Sequence, residues 1–321
     1  MPCRTLRCHT GAGCAVIHAM SPTDERAAIF TETRPLLFSI AYRMLGSVAD
    51  AEDIVQDAYL RWQRTPDLDV REPRAYLTTV VTRLAINELR SARAQRETYV
   101  GPWLPEPLVT EHAPDSSAAV ELAESLSMAF LVMLERLSPI ERAVLLLHDV
   151  FEFDHAEIAR IIDKSEANCR QLLSRAKKRV VADEARFDAD REQAARLAQQ
   201  FTEATRAGDV NAMLAVIADD VTLWADGGGK VPGAALQPVH GADAVARFIA
   251  VRAQGGVSAG HTVRPMQING QPGFVIYASG QPLTTLIFHV RDGRIRTIYA
   301  VGNPDKLRNV AEMTGSSGIV S

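Results

Sequence analysis

Cysteine is scarce in this chain: there are four in 321 residues, and three of them, Cys3, Cys8 and Cys14, fall in the first stretch beside His9 and His18. Their spacing matches no zinc pattern, so no metal site is expected, and Cys169, inside a helical segment, is read as a packing residue. An excess of positive charge is also absent. Thirty-five Lys and Arg stand against 39 Asp and Glu, giving a net charge of -4 and a pI near 6.1. That balance excludes a protein that coats nucleic acid by bulk charge, so any DNA contact has to come from local basic patches. No apolar run is long enough to span a bilayer, and no uninterrupted hydrophobic signal segment precedes a cleavage site. A cytoplasmic protein with no membrane partner is expected. What is present is length and apolar content: 47% hydrophobic residues over 321 positions suit two or three packed units.

Residues 154 to 180, DHAEIARIIDKSEANCRQLLSRAKKRV, organise the rest. Asp154 and Glu157 have the spacing of a capping box, and Ile158 and Ile161 give the first short helix its buried side. In the turn IIDKS, Asp163 tolerates a left-handed backbone and Ser165 caps the second helix. That helix sets Cys169, Leu172, Leu173, Ala176 and Val180 on one face, with Gln171, Ser174, Arg175 and Lys178 on another. The pattern suits a helix-turn-helix whose second helix enters the major groove; an ordinary solvated helix hairpin has the same amphipathicity.

The remainder divides by composition. Residues 1 to 23 read as a leader, with Met20 a natural start, and 24 to 97 as one all-helical unit. In its second helix, DAEDIVQDAYLRW, Ile54, Val55, Ala58 and Leu60 face packing partners, while Asp50, Glu52, Asp53, Gln56 and Asp57 form an acidic, polar flank. Its third helix buries Leu77, Val81 and Leu84 and turns Arg83, Asn87 and Arg90 outward, with Arg93 extending the positive end. Such a face suits a strand of nucleic acid, and the preceding loop at Arg71 could wall a pocket for an unstacked base; an Arg-rich helix end that complements the dipole is the plainer alternative. Residues 98 to 119 are a proline-rich linker in which Trp103 and Leu104 are expected to dock on a neighbouring surface. A second helical unit, 120 to 183, contains the helix pair. From 187 to 314, helices precede strand-like runs at 221, 261, 274, 283 and 295, with an Asp-Gly hairpin at Asp292-Gly293, which implies an α+β unit of antiparallel strands curved around helices.

The ordered set resembles regions two and four of an extracytoplasmic function (ECF) sigma factor. DAEDIVQDAYLRW is similar to the polymerase-binding helix, TRLAINELRSARAQR to the helix that reads the minus-ten element, and SEANCRQLLSRAKKR to the region-four recognition helix. Residues 187 to 314 resemble a SnoaL-like domain of the NTF2-like superfamily. Three motifs, WLPEP at 103 to 107, DGGGK at 226 to 230 and NPDKL at 303 to 307, mark the sigma-factor group with that domain fused C-terminally. Asp163 stands where a glycine is usual.

The resemblance implies a multidomain fold, two all-α sigma units followed by an α+β domain, and promoter-specific initiation with RNA polymerase and promoter DNA as partners. Asp50, Glu52, Asp53, Gln56 and Asp57 would dock on the core enzyme, at its beta and beta-prime subunits. Arg71, Arg83, Asn87, Arg90 and Arg93 would hold the minus-ten strand. Ser165, Arg170, Gln171, Ser174, Arg175, Lys177 and Lys178 would meet the minus-thirty-five element. The polymerase does the chemistry, so neither enzymatic activity nor a cofactor is expected of this chain. The three motifs, Trp103, Leu104, Pro105, Glu106 and Pro107 with Asp226, Gly227, Gly228, Gly229 and Lys230 and with Asn303, Pro304, Asp305, Lys306 and Leu307, would form a regulatory interface between the fused domain and the sigma units. The alternative for the fused domain is a small-ligand sensor or an enzyme. Its scattered candidates, His240, His261, His289 and Asp243, form no pair by spacing.

Overall fold

The computed structural model describes residues 22–65, 70, 72–110, 126–181, 191–256 and 260–313. Residues 1 to 21 of the expected leader and Arg71 lie outside them, as does the side chain of Arg93, while Pro22 and Thr23, also expected in the leader, open the first helix.

The first unit is three helices, α1 (Pro22–Leu45), α2 (Val48–Arg64) and α3 (Pro73–Glu97). Gly46 stops α1 at a φ of 68°, and Ser47 starts α2 by accepting the Asp50 amide on its hydroxyl. The second unit is α4 (Met128–Leu134), α5 (Pro139–Asp149), α6 (His155–Ile162) and α7 (Glu166–Val181). Capping boxes open α5, from Ser138 and Glu141, and α6, from Asp154 and Glu157. Asp163 takes the left-handed conformation, φ 54°, that ends α6, and the Ser165 hydroxyl accepts the Asn168 amide to start α7. The helix pair is therefore built by the residues that announced it. Cys169, Leu173 and Ala176 are buried, and Leu172 and Val180 half-buried.

The two helical units share one apolar core, with Leu37, Leu77 and Val81 from the first and Leu146, Ile158 and Leu173 from the second. α3 lies against α5 and α6, and α1 against α5. Buried Arg142 of α5 donates to the Met44 carbonyl at the end of α1, at 2.7 Å. One expected packing residue is not in this core: Leu60 is 43% exposed, because α2 has solvent rather than a neighbour on that side. Leu84 is half-buried rather than buried.

The C-terminal unit holds α8 (Arg191–Ala207), α9 (Val210–Val216), β2 (Ile217–Asp226), β3 (Val239–His240), α10 (Ala242–Gly256), β4 (His261–Ile268), β5 (Gln271–Ala278), β6 (Gln281–Arg291), β7 (Arg294–Val301) and a 3₁₀ turn, Pro304–Leu307. The linker contributes β1 (Val109–Thr110), and the sheet order is β1-β4-β5-β6-β7-β2-β3. β4 to β7 form a meander through Asn269-Gly270, Ser279-Gly280 and Asp292-Gly293, each pair with positive φ at both positions, the turn whose twist matches the strands. The sheet is not wholly antiparallel as the strand order in sequence implied. β2 runs parallel to β7, with β3, α10, β4, β5 and β6 intervening in the chain before the meander returns to it.

Both faces of this sheet are covered. On one, Phe201, Met213 and Val245 of the helices meet Phe274, Phe288 and Ile298. On the other, Ile268, Val275, Tyr277, Ile287, Tyr299 and Val301 pack with Leu104 of the linker, Met128 of α4 and Leu307 of the 3₁₀ turn. The C-terminal unit is thus completed by residues drawn from the linker and the second helical unit.

Candidate functional site

Asp226, the last residue of β2, is fully buried and its carboxylate accepts four hydrogen bonds. Oδ1 receives the Tyr99 hydroxyl at 2.5 Å and the Gly228 amide at 3.1 Å; Oδ2 receives the Leu104 amide at 2.9 Å and Lys306 Nζ at 2.7 Å. Lys306 also donates to the Leu104 carbonyl at 2.5 Å and lies 4.1 Å from the Trp103 ring centroid and 4.9 Å from that of Tyr99. Asn303 donates through Nδ2 to the Tyr99 hydroxyl at 2.7 Å, and its amide and that of Gly302 both meet the Asp226 carbonyl at 2.9 Å. Outside this buried group, Lys230 pairs with Asp305, whose carboxyl is held below its usual range by that hydrogen bond and by Arg308. The three motifs converge on the stretch from Tyr99 to Leu104.

The glycines of DGGGK allow the approach. A Cβ at Gly228 would fall 2.3 Å from Asn303 Nδ2, and one at Gly227 2.6 Å from the Ala234 Cβ. Burial, reinforced by Asp226, raises the Tyr99 phenol well above its ordinary value, so it remains a donor.

Glu106 ties the same linker to the first helical unit. Its Oε1 accepts the Ser47 hydroxyl at 2.9 Å and its Oε2 the Val48 amide at 2.7 Å, so a carboxylate sits at the positive end of α2. Its amide donates to the Gly46 carbonyl at 2.8 Å, and its carbonyl accepts the Tyr42 hydroxyl at 2.6 Å. Tyr42 in turn accepts from Asn269 Nδ2 at 2.7 Å, while Asn269 exchanges hydrogen bonds with Leu108. Pro105 and Trp103 lie over Gly46, where a Cβ would meet the indole at 2.8 Å. Sequence reasoning missed Tyr42, Gly46, Ser47, Tyr99 and Asn269. Tyr99, four residues before WLPEP, and the Asn269-Gly270 turn were the available signals.

The expected nucleic-acid and polymerase surfaces are differently placed. Asp53, Gln56 and Asp57 are exposed on α2; Asp50 and Glu52 are half-buried, Glu52 in an ion pair with Arg34. Asn87 and Arg90 are exposed side by side at 3.4 Å. Arg83 is engaged elsewhere: Nε donates to the Ile161 carbonyl at 2.7 Å and the guanidinium also meets the Arg160 carbonyl at 3.1 Å. Those carbonyls are left over at the end of α6, so Arg83 caps the helix-turn-helix while the two units are together. Ser165, Arg170, Gln171, Ser174, Arg175, Lys177 and Lys178 are all exposed, with Lys177 paired to Asp149 at 2.9 Å and Arg170 to Glu166 at 3.4 Å. Of the four acid-base candidates, His261 lines a cavity of the C-terminal unit. His240 meets the Thr222 hydroxyl instead, at 3.1 Å, and His289 is held low by burial and by Arg291 and Arg296.

Two helical sigma-type units joined through a linker to an α+β domain define the class: the chain belongs to the ECF sigma factors that carry a SnoaL-like domain at the C-terminus. Residues 29–95 match Sigma-70 region 2, 127–180 match Sigma-70 region 4, and 198–298 match the SnoaL-like domain. Among individual proteins, it is 43% identical over 289 residues to the ECF RNA polymerase sigma factor SigJ of Mycobacterium tuberculosis, covering 86% of this chain and 91% of that one. The probable ECF RNA polymerase sigma factor SigI of the same species is 30% identical over 90% of this chain and 97% of its own. The crystal structure of M. tuberculosis SigJ superposes with a TM-score of 0.69 at 38% identity, covering 88% of this chain and 98% of that chain. The protein is accordingly an RNA polymerase sigma factor that directs promoter-specific transcription initiation.

Proposed function

We propose that the SnoaL-like domain regulates the sigma regions by clasping their linker, so that the free protein is held closed and polymerase binding or promoter capture requires the clasp to open. The observation that carries this is the Asp226 carboxylate binding Lys306, the Tyr99 hydroxyl and the Leu104 amide in one buried cluster.

Geometry supports the closed reading. α3 and α7 both contact α6, so with helices packed roughly 8–10 Å apart their axes lie within about 20 Å. Promoter elements some 17 base pairs apart lie about 58 Å from one another at ~3.4 Å per pair. Residues 98–125 could span about 92 Å at ~3.3 Å each, but residues 111–125 alone, the part beyond the clasped stretch, span about 50 Å. Opening the clasp moves the reach across the required distance.

In the open state, Asp50, Glu52, Asp53, Gln56 and Asp57 meet the beta-prime clamp of the core enzyme in the cytoplasm. Asn87 and the loop at Arg71 read the minus-ten strand while Arg83, released from α6, joins Arg90 and Arg93 on phosphates. Region four reads the minus-thirty-five element through Arg170, Gln171, Ser174 and Arg175, with Ser165, Lys177 and Lys178 nearby. Run-off transcription with core polymerase tests the clasp. Truncation before Asn303 alters promoter output, and removal of the domain from residue 187 disables or deregulates the factor. If both truncated chains transcribe like the whole protein, the regulatory reading fails.

A further inference from the structure

The C-terminal unit encloses a cavity of about 230 Å³ between α8, α10 and the sheet. Protein interiors rarely keep voids larger than a water molecule, and a mostly apolar space of this size has too few polar partners to hold ordered water. Its walls are apolar, with Phe201, Leu223, Phe248 and Ile276 among them. Two of its lining side chains are cationic and exposed: Arg206 at the end of α8 and Arg252 on α10. Arg206 has no hydrogen bond or ion pair among the described residues, and Arg252 donates to the Pro232 carbonyl at 2.6 Å rather than to an acid. Asp226 is the carboxylate among the lining residues, and its oxygens are taken by the clasp.

The loop after β2 separates this cavity from the linker. Gly227, Val231 and Ala234 face the cavity. From the other side Gly228 abuts Asn303 and Tyr99, and Gly229 abuts Val100. The wall is one loop thick.

We propose that the cavity binds a small, largely apolar molecule with one anionic group, its body against Phe201 and Phe248 and its anion at Arg206 and Arg252, and that occupancy braces the Gly227–Ala234 wall and favours the clasped linker. An apolar body is recognised by burial, and a guanidinium at the mouth adds a charge-assisted hydrogen bond. Because the occupant touches the wall of the closed state, it has the differential affinity that a population shift needs. The second half rests on the clasp reading above; the first does not.

Isothermal titration of the full chain with 1-naphthoate, 1-naphthylmethanol and 1-naphthylmethylammonium tests the site. The expected result is saturable one-to-one binding of naphthoate, about tenfold tighter than the alcohol, with the cation weakest. Arg206→Gln with Arg252→Gln reduces naphthoate binding to the level of the alcohol and leaves the alcohol unchanged. Ala253→Trp, from α10, and Thr202→Trp, from α8, each abolish binding while circular dichroism and thermal unfolding show a folded chain; two plugs from separate helices cover the failure of either to fold. No saturable binding of any of the three compounds, preference for the cation, or unaltered binding in a folded plugged variant overturns the site. Coupling is read by hydrogen exchange at Val100 to Leu104, expected to slow under saturating naphthoate; unchanged or faster exchange overturns the coupling. Lys306→Met, which opens the clasp without lining the cavity, still binds naphthoate saturably, though more weakly as reciprocal coupling requires, so a failure of the clasp in transcription and a failure of the site in titration are separate results.

Discussion

Lys306 Nζ lies 2.7 Å from Asp226 Oδ2, with the two side chains 8% and 0% exposed. A pair this deep contributes little by its charge attraction alone, since desolvation offsets it, but removing one partner strands the other. Asp226→Asn and Lys306→Met are each expected to destabilise the closed protein by roughly 3–5 kcal/mol. The double variant costs less than their sum by at least about 1 kcal/mol. Urea unfolding of the four proteins completes the cycle; strict additivity would mean the two residues do not act as a unit.

Gly46 carries two constraints, a φ of 68° and the Trp103 indole 2.8 Å from where a Cβ would sit. Gly46→Ala costs about 1–2 kcal/mol for the left-handed backbone alone. Displacement of Trp103 adds a linker cleaved faster by chymotrypsin, which cuts after Tyr99, Trp103 and Leu108. Cleavage at the parental rate would show that the indole is not held there.

The pH dependence at the alkaline end follows from two tyrosines. Burial raises both Tyr42 and Tyr99 far above the ordinary value of 10.0. Above pH 10 the unfolded chain therefore releases these protons while the folded chain keeps them, the folded state binds more protons, and stability falls as pH rises. Phenolate absorbance should show late titration of Tyr42 and Tyr99, and Tyr42→Phe with Tyr99→Phe should reduce that late phase. A single titration step near the ordinary value contradicts the burial.

Asp53 and Asp57 are exposed. Asp53→Lys with Asp57→Lys changes stability by no more than about 0.5 kcal/mol. Affinity for core polymerase falls about tenfold or more, measured by fluorescence anisotropy with labelled sigma factor. Unchanged affinity moves the polymerase contact off this face of α2.

Variants at Asn87 and Arg83 are expected to separate reading from closure. Asn87→Ala should relax preference within the minus-ten element by about 1–3 kcal/mol without altering the free protein. Arg83→Ala should also loosen the free protein, because Arg83 caps α6. Small-angle scattering that leaves the Arg83 variant as compact as the parent removes that contact from the closing surface.

Local structure was legible wherever one residue's chemistry decides it. Asp154, Asp163 and Ser165 announced the helix-turn-helix because caps and left-handed turns depend on near neighbours. The motifs around Trp103, Asp226 and Lys306 were visible as motifs, and they do meet. Their partners were not visible: Glu106 reaching Ser47, and Tyr42 reaching Asn269, 227 positions away, leave no periodicity in the chain. The parallel pairing of β2 with β7 is likewise a matter of topology. Leu60 has the character of a core residue and only the absence of a neighbour exposes it.

The span of the clasp has a consequence in time. Lys306 holds the Leu104 carbonyl across 202 positions. At roughly 5–20 residues per second of synthesis, Lys306 emerges about 10–40 s after Leu104. From Val181 to Lys306, 125 positions or roughly 6–25 s, a nascent chain can carry both helical units with the clasp not yet made. Under the proposed clasp, each new molecule would pass through an unrestrained youth, and ribosome pausing between the helix-turn-helix and the last strand would lengthen it.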